Sequence, residues 1–267
     1  MPTAEEIIKK FGAVEDDQRY TRLVDLFTPD AIYYDPFMGA QVGTDAIRTF
    51  MGHMEEMVPA AGARFDEWEV CAGTTTAWAK WTMYAKGPNG EVGINGQSIY
   101  RLRDDGDGLK VCFVADYLDS NAYAQLTRDR GPDMTTPATL SKCTSEQGSA
   151  HALISKFWKM QDTRQYAQLA ELFTDDAVFT DQTSGDFVGK EAITAFMNRM
   201  DVEMTARGVT FSLDDCAGDE TVGWSQWTCH LPGGSFPGWT LHKVRDGKFT
   251  LDSDYFDVAQ AAKLRTK

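Results

Sequence analysis

A chain of 267 residues exceeds the usual domain length of roughly 100–200, so two compact units are expected. Its 40 acidic against 26 basic side chains give a formal charge of −14, a surface that repels phosphate backbones and anionic headgroups and so argues against nucleic-acid and membrane partners. Hydrophobic residues at 42% and aromatics at 12% supply a packed core for each unit. The stretch Met1–Glu6 has no basic region and does not read as a secretory signal, and no apolar run is long enough to span a bilayer. The cysteines, Cys71, Cys112, Cys143, Cys216 and Cys229, are odd in number and lack CxxC spacing, so reduced thiols in a cytoplasmic setting are expected in place of a disulfide framework or zinc site. With only four histidines, neither a metal site nor a cofactor is expected.

Taken in chain order, residues 4–19 read as a helix and Tyr20 to Phe27 as a second, short one, followed by a turn at Thr28, Pro29 and Asp30. A strand spans Ala31 to Asp35. A third helix begins near Thr44 and Asp45, with Thr44 as its N-cap, and carries Phe50, Met51 and Met54 at helical spacing. Four strands follow, at about 64–71, 75–86, 94–103 and 110–118, joined by glycine-bearing turns. Helices first and strands last define an α+β unit, with the helices covering one face of a bent antiparallel sheet.

The same order then repeats. Leu23 to Ile32 matches Leu169 to Val178, an offset of 146. That offset also pairs Asp35 with Asp181, Gly43 with Gly189, Phe50 and Met51 with Phe196 and Met197, Trp78 with Trp224, and Trp81 with Trp227. Further on the offset shrinks, and Asp116–Asp119 meets Asp254–Asp257. Thr127 to Gln147 is rich in Gly, Pro, Ser and Thr and reads as a linker. The expected organisation is domain 1 over 1–126, a linker over 127–147 and domain 2 over 148–267.

The run from Leu26 through Asp35 and Pro36 to Gly43–Ile47, with the closing segments Asp116–Asp119 and Asp254–Asp257, resembles the nuclear-transport-factor-2-like superfamily, nearest its SnoaL-like and ketosteroid-isomerase-like branches. The resemblance covers both halves apart from the linker. It implies two cone-shaped (cystatin-like) domains, each with an apolar pocket between helices and sheet. It also implies outer sheet faces that pair, here as an intramolecular pseudo-dimer open to further self-association. For function it is permissive, because the superfamily holds isomerases, cyclases, dehydratases, epoxide hydrolases and inert binders.

Asp35 and Asp181 are the first candidate catalytic groups. By resemblance they stand where ketosteroid isomerases keep a general base, and Asp35–Pro36 reproduces that local context. The ketosteroid isomerase pattern of a carboxylate tuned by an apolar pocket is an established one. The competing reading is a turn aspartate capping local amides. The family's phenol-bearing helix position falls on Phe11 and Phe157, and its acid position near Ser98 and Thr240, so the isomerase's tyrosine-plus-acid pair is missing from both copies. Strand alternation turns Arg101 and Arg103 to solvent and Tyr100 inward, and by the same count turns His242 inward. Each could donate to a developing oxyanion or be a core side chain. Trp81 and Met83 share the inner face, as does Trp227, leaving Trp78 and Trp224 on the outer one.

Glu67 aligns with Leu213, so a second carboxylate enters the first pocket or stays on the surface. An Asp35–Glu67 pair resembles the two-acid sites of epoxide-opening polyether cyclases, some of them tandem fusions. Asp116 and Asp254 could reach the pocket mouth, as a last-strand carboxylate does in SnoaL-like cyclases. Asp119 and Asp257 read as caps. No phosphate loop, Ser–His–Asp arrangement or metal cluster stands out. Catalytic candidates are thus Asp35, Asp181, Tyr100, His242, Glu67, Asp116 and Asp254. Substrate-binding candidates are Phe11, Phe157, Trp81, Trp227, Met83, Met51 and Met197. Two functions are expected to compete: a cofactor-free acid/base enzyme (isomerase, cyclase, dehydratase or epoxide-opening) on an apolar polyketide, terpenoid or steroid-like molecule, or a non-catalytic binding or assembly module.

Overall fold

The computed structural model describes residues 2–126, 133, 134, 143 and 147–265, and most of the linker expected over 127–147 lies outside them. The chain divides into two units, Met1–Glu146 and Gln147–Lys267. In the first, α1 (Ala4–Asp17) starts at a capping box in which Thr3 and Glu6 satisfy each other's backbone amides. A 3-10 helix (Tyr20–Leu26) leads into β1 (Phe27–Asp35) and β2 (Gly39–Val42), then α2 (Thr44–Ala60). Strands β3 (Arg64–Ala72), β4 (Thr76–Gly87), β5 (Gly90–Asp104) and β6 (Leu109–Leu118) follow, and a short α3 (Ser120–Tyr123) closes the unit. The second unit runs α4 (Ser149–Asp162), α5 (Tyr166–Leu169), a 3-10 turn (Ala170–Leu172), β7 (Phe173–Asp181), β8 (Gly185–Val188), α6 (Lys190–Arg207), β9 (Thr210–Gly218), β10 (Val222–Leu231), β11 (Gly234–Arg245), β12 (Lys248–Phe256) and α7 (Val258–Arg265).

Each unit has one six-stranded sheet, ordered β2-β1-β6-β5-β4-β3 and β8-β7-β12-β11-β10-β9. The sheets are mixed, which corrects the all-antiparallel expectation: β1 runs parallel to β6, and β7 to β12. Two further expectations give way. Thr28, Pro29 and Asp30 lie within β1, where a register shift between Phe27 and Ile32 absorbs the proline, as a bulge does. Gly43, not Thr44, caps α2, and Gly189 caps α6. These glycines have φ of 82° and 85°, and their N–H groups donate to Ala31 and Ala177 carbonyls at 2.7 Å. That left-handed conformation accounts for the recurrence of glycine here.

One recurrent pair shapes the inner face. Trp81 sits in register with Gly96, and Trp227 with Gly238. A Cβ on Gly96 would lie 2.1 Å from Trp81 Cη2, and one on Gly238 would lie 2.3 Å from Trp227 Cζ2. Each indole therefore lies flat across the neighbouring strand. Its Nε1 then donates to the residue two positions on, Ser98 Oγ at 2.9 Å or Thr240 Oγ1 at 2.8 Å. Gly238→Ala is expected to lower unfolding free energy by about 1–3 kcal/mol, the usual range for overpacking, read by denaturant titration with tryptophan emission.

Alternation identifies the side of a sheet, not whether that side is wet. Arg101, expected in solvent, is 5% exposed, with its guanidinium 5.6 Å from the Phe113 ring centroid. Trp78 and Trp224 are both fully buried. The expectation of reduced thiols is also corrected, because Cys112 and Cys143 form a disulfide. The cytoplasmic setting loses the support drawn from the thiols. No helix among the described residues is long and apolar enough to cross a membrane.

Candidate active site

The second unit holds a cavity of about 140 Å³ between α4, α6 and the inner face of its sheet. Phe157, Asp181, Met197, Trp227 and Asp254, all singled out from the sequence, line it together. Asp181 ends β7 and Asp254 is its register partner on the parallel strand β12, so the topology sets two carboxylates side by side. Asp181 is a turn aspartate in part: its Oδ1 accepts from Thr183 N at 3.0 Å, Thr183 Oγ1 at 2.7 Å and Ser184 N at 2.7 Å. Those bonds fix the side chain through one oxygen, and Oδ2 has no donor among the described residues.

Asp254 is held through one oxygen as well. Trp227 Nε1 donates to Thr240 Oγ1, and Thr240 Oγ1 donates to Asp254 Oδ1 at 2.5 Å. Burial raises the Asp254 carboxyl well above its ordinary range, the charge of Asp252 adds to this, the Thr240 bond opposes it, and Asp181 contributes a further upward push. The raised Asp254 carboxyl thus stands next to the carboxyl of Asp181.

The first unit builds the same chain of bonds and then closes it. Trp81 donates to Ser98, and Ser98 donates to Asp116 Oδ1 at 2.6 Å. Tyr33 on β1 donates its hydroxyl to Asp116 Oδ2 at 2.5 Å. Position 33 corresponds to Phe179, which lines the second unit's cavity and has no hydroxyl to give. Asp116 therefore has both oxygens satisfied by the chain, whereas Asp254 has one. Burial raises Asp116 to about 7, against the Ser98 and Tyr33 bonds. Asp35 accepts from Phe37 N and Met38 N, both at 2.8 Å, and burial moves its carboxyl up against those bonds.

The remaining candidates scatter. Phe11, 5.6 Å from Tyr100 in an edge contact, is core with it, and Met51 is 2% exposed in the same cluster. Met83 is partly buried against that cluster. Glu67 neither stays at the surface nor meets Asp35 in any contact observed; it folds over α1, where a Cβ on Gly12 would lie 2.9 Å from its Oε1. Gly12 corresponds to Trp158, so the glutamate side chain packs where the second unit has an indole. Burial raises Glu67 to about 7, with Lys9 opposing. A carboxyl raised above its unfolded value stabilises fully below the unfolded pKa and loses that contribution as pH rises through about 7. Glu67→Gln is thus expected to melt higher than wild type at pH ~8 and equally at pH ~4, checked by thermal unfolding at both.

Asp119 accepts from Asn121 N and Ala122 N and Asp257 from Gln260 N, so both cap the helix that follows. His242 is fully buried and does not line the cavity. Its Nε2 lies 3.0 Å from Ser225 Oγ and its Nδ1 3.1 Å from Asp252 Oδ2, the latter without the alignment of a hydrogen bond. A Ser–His–Asp arrangement is therefore present after all, spread over β10, β11 and β12. Sequence spacing could not reveal it, because three strands bring the residues together. All three side chains are 0% exposed, so no acyl group reaches Ser225 Oγ. Burial drops His242 to about 3 and raises Asp252 well above its ordinary range. The first unit has Ala79, Tyr100 and Val114 at these positions, an apolar packing with one phenol.

The SnoaL-like domain model matches residues 8–108 and again 154–251. The chain belongs to the SnoaL-like family, as a tandem of two such domains, each an α+β unit. Among solved structures it is similar to an NTF2-like protein with a cystatin-like fold from Novosphingobium aromaticivorans (17% identity, 46% of this chain and 86% of that one, TM-score 0.37). It is also similar to a candidate polyketide cyclase from Xanthomonas campestris (19% identity, 43% and 96%, TM-score 0.37). A ketosteroid isomerase-like-fold protein from Catenulispora acidiphila, solved with trimethylamine, matches at 19% identity over 40% and 85%, with a TM-score of 0.35. No curated protein matches.

Proposed function

We propose that the second unit is a cofactor-free acid/base catalyst that moves a proton on an uncharged, apolar small molecule. The observation that carries this is the Asp181–Asp254 pair on the wall of one aromatic-lined cavity, each carboxyl anchored through a single oxygen. Oδ2 of Asp181 takes a proton from a carbon next to a carbonyl. The protonated Asp254 meets the oxygen on which negative charge develops, and the proton then returns to a second carbon. In this reading Asp254, whose carboxyl burial pushes upward, takes the acid role and the neighbouring Asp181 the base role. The same division serves isomerisation, cyclisation, dehydration or epoxide opening, and membership of a family that includes isomerases and cyclases supports this range. In the first unit Tyr33 satisfies Asp116, so that copy serves as scaffold.

The test uses a small ketone and no knowledge of the natural substrate. Conversion of a β,γ-unsaturated cyclohexenone to its conjugated isomer is followed by ultraviolet absorbance, and solvent deuterium uptake by NMR. Wild-type protein is expected to outpace the Asp181→Asn/Asp254→Asn double variant by ~10²-fold or more. Equal rates from the two proteins would leave the cavity a binding module.

A further inference from the structure

We propose that Trp227 and Thr240 are positioning residues that confine the acid proton of Asp254 to Oδ2, the oxygen left for a ligand in the second unit's cavity. This deepens the reading above and rests on Asp254 being its acid. Two observations lead to it.

The first is a donor chain with only one direction. An indole N–H can only donate, so the Thr240 hydroxyl accepts from Trp227 Nε1 at 2.8 Å. The single proton of that hydroxyl then goes to Asp254 Oδ1 at 2.5 Å. Thr240 is fully buried, and its hydroxyl meets no other acceptor among the described residues. A proton on Oδ1 would displace the threonine proton and leave it orphaned, which buried donors rarely tolerate. Oδ1 is thereby reserved as an acceptor. Oδ2 has no donor among the described residues, and Asp254 lines the cavity with part of its surface exposed.

The second observation is that the chain is built twice. Trp81, Ser98 and Asp116 repeat it in the first unit, at 2.9 and 2.6 Å. In each copy the indole crosses a glycine, Gly96 or Gly238, where a Cβ would collide with it. Serine in one copy and threonine in the other preserve the hydroxyl alone. Tyr33 takes the second oxygen of Asp116, so the first unit keeps the relay without a free oxygen at its end.

The relay also bears on the proton transfer itself. A hydrogen bond to a carboxylate is roughly twice as strong as one to a neutral carboxyl oxygen. Thr240 therefore holds Oδ1 more firmly once the Oδ2 proton has passed to the ligand's oxygen. A bond that strengthens during transfer lowers the barrier and not only the energy of binding. Burial lifts the Asp254 carboxyl, and the Thr240 bond pulls against that rise.

Carbon-13 NMR of the aspartate carboxyl carbons in the full-length protein tests this without a substrate. The Asp254 signal is assigned by its loss in Asp254→Asn, and the Trp227 indole proton by its loss in Trp227→Phe. Asp181, Asp252 with His242 beside it, and Arg199, Glu203 and Arg207 of α6 are kept in the Thr240 variants, so a changed titration reports the relay. Thr240→Val keeps the shape and removes the hydroxyl, and is expected to make Asp254 hold its proton about tenfold tighter or more. Thr240→Ser, the first unit's residue, is expected to restore the wild-type titration. In wild type the Trp227 indole proton is expected to shift along with Asp254, and in Thr240→Val to stop doing so. With the cyclohexenone, Thr240→Val should lower kcat about tenfold at constant KM, and Thr240→Ser should recover it.

An Asp254 titration unmoved by Thr240→Val overturns the proposal, as does Thr240→Ser behaving like Thr240→Val. A wild-type Trp227 proton blind to the Asp254 titration also overturns it, and that result stands even where Thr240→Val fails to fold. Wild-type protein that leaves the cyclohexenone untouched counts against the catalytic reading alone, because the two titrations still decide the relay.

Discussion

Replacing Asp254 with Asn is expected to lower kcat/KM for the cyclohexenone by ~10²–10⁴-fold, while Asp116→Asn leaves it unchanged. An amide still donates a hydrogen bond but cannot deliver a proton, so the loss reports acid catalysis and not mere contact. The asymmetry between the two substitutions follows from Tyr33, which occupies Asp116 Oδ2 in the first unit, and from Phe179, which leaves Asp254 Oδ2 without a donor among the described residues. The rate should also fall as pH rises through the elevated pKa of Asp254, because the acid form is the working one. The groups that face Asp254 are Asp252 and Thr240 on the sheet, Asp181 on β7, and Arg199, Glu203 and Arg207 from α6 across the cavity. Of these, Asp252 is the largest charged contributor to the upward shift. Asp252→Asn should therefore move the basic limb of the profile to lower pH. A limb that does not move would mean that burial alone sets the carboxyl.

The second large effect concerns stability, and its sign reverses between single and multiple substitutions. His242→Tyr alone leaves the Asp252 carboxyl buried without the imidazole 3.1 Å from it, an omission expected to cost about 1–3 kcal/mol. Making Ser225→Ala, His242→Tyr and Asp252→Val together reproduces the residues that the first unit packs at these positions. Removing a buried polar cluster as a whole is typically neutral to stabilising by about 1–4 kcal/mol, so the triple variant should equal or exceed wild type. Denaturant unfolding of the single, double and triple variants measures the coupling directly. A triple variant less stable than His242→Tyr would show that the trio is well satisfied and that its packing differs from the first unit's.

The duplication and the order of helices and strands were legible because local signals carry them: Trp81 and Trp227, Gly43 and Gly189, and the Leu–Phe–Thr runs recur at fixed spacing. Asp35 and Asp181 could be placed at a strand end for the same reason. What the sequence concealed was set by neighbours on other strands. The helix position expected to carry a phenol falls on Phe11, whereas the tyrosine that bonds the last-strand acid comes from β1. The position by Ser98 and Thr240 was read as the acid's own, yet these residues serve the acid one strand over. The burial of Arg101 and the grouping of Ser225, His242 and Asp252 also depend on packing that periodicity does not encode. A signal for the cavity was available in the alignment of Trp158 with Gly12 and Phe179 with Tyr33: at both points an exchange of size or of a hydroxyl separates the copies.

The hydroxyl of Tyr33 has a wider consequence for how the molecule responds to heat. One half of the chain completes its own polar wiring, so its melting should be indifferent to added small molecules. The other half depends on an outside oxygen or carbonyl to finish the circuit at Asp254, and any compound that does so binds the native form and not the unravelled one. Calorimetric scans should then resolve one transition that climbs with solute concentration from one that stays fixed, giving a ligand-screening readout with its reference inside the same polypeptide.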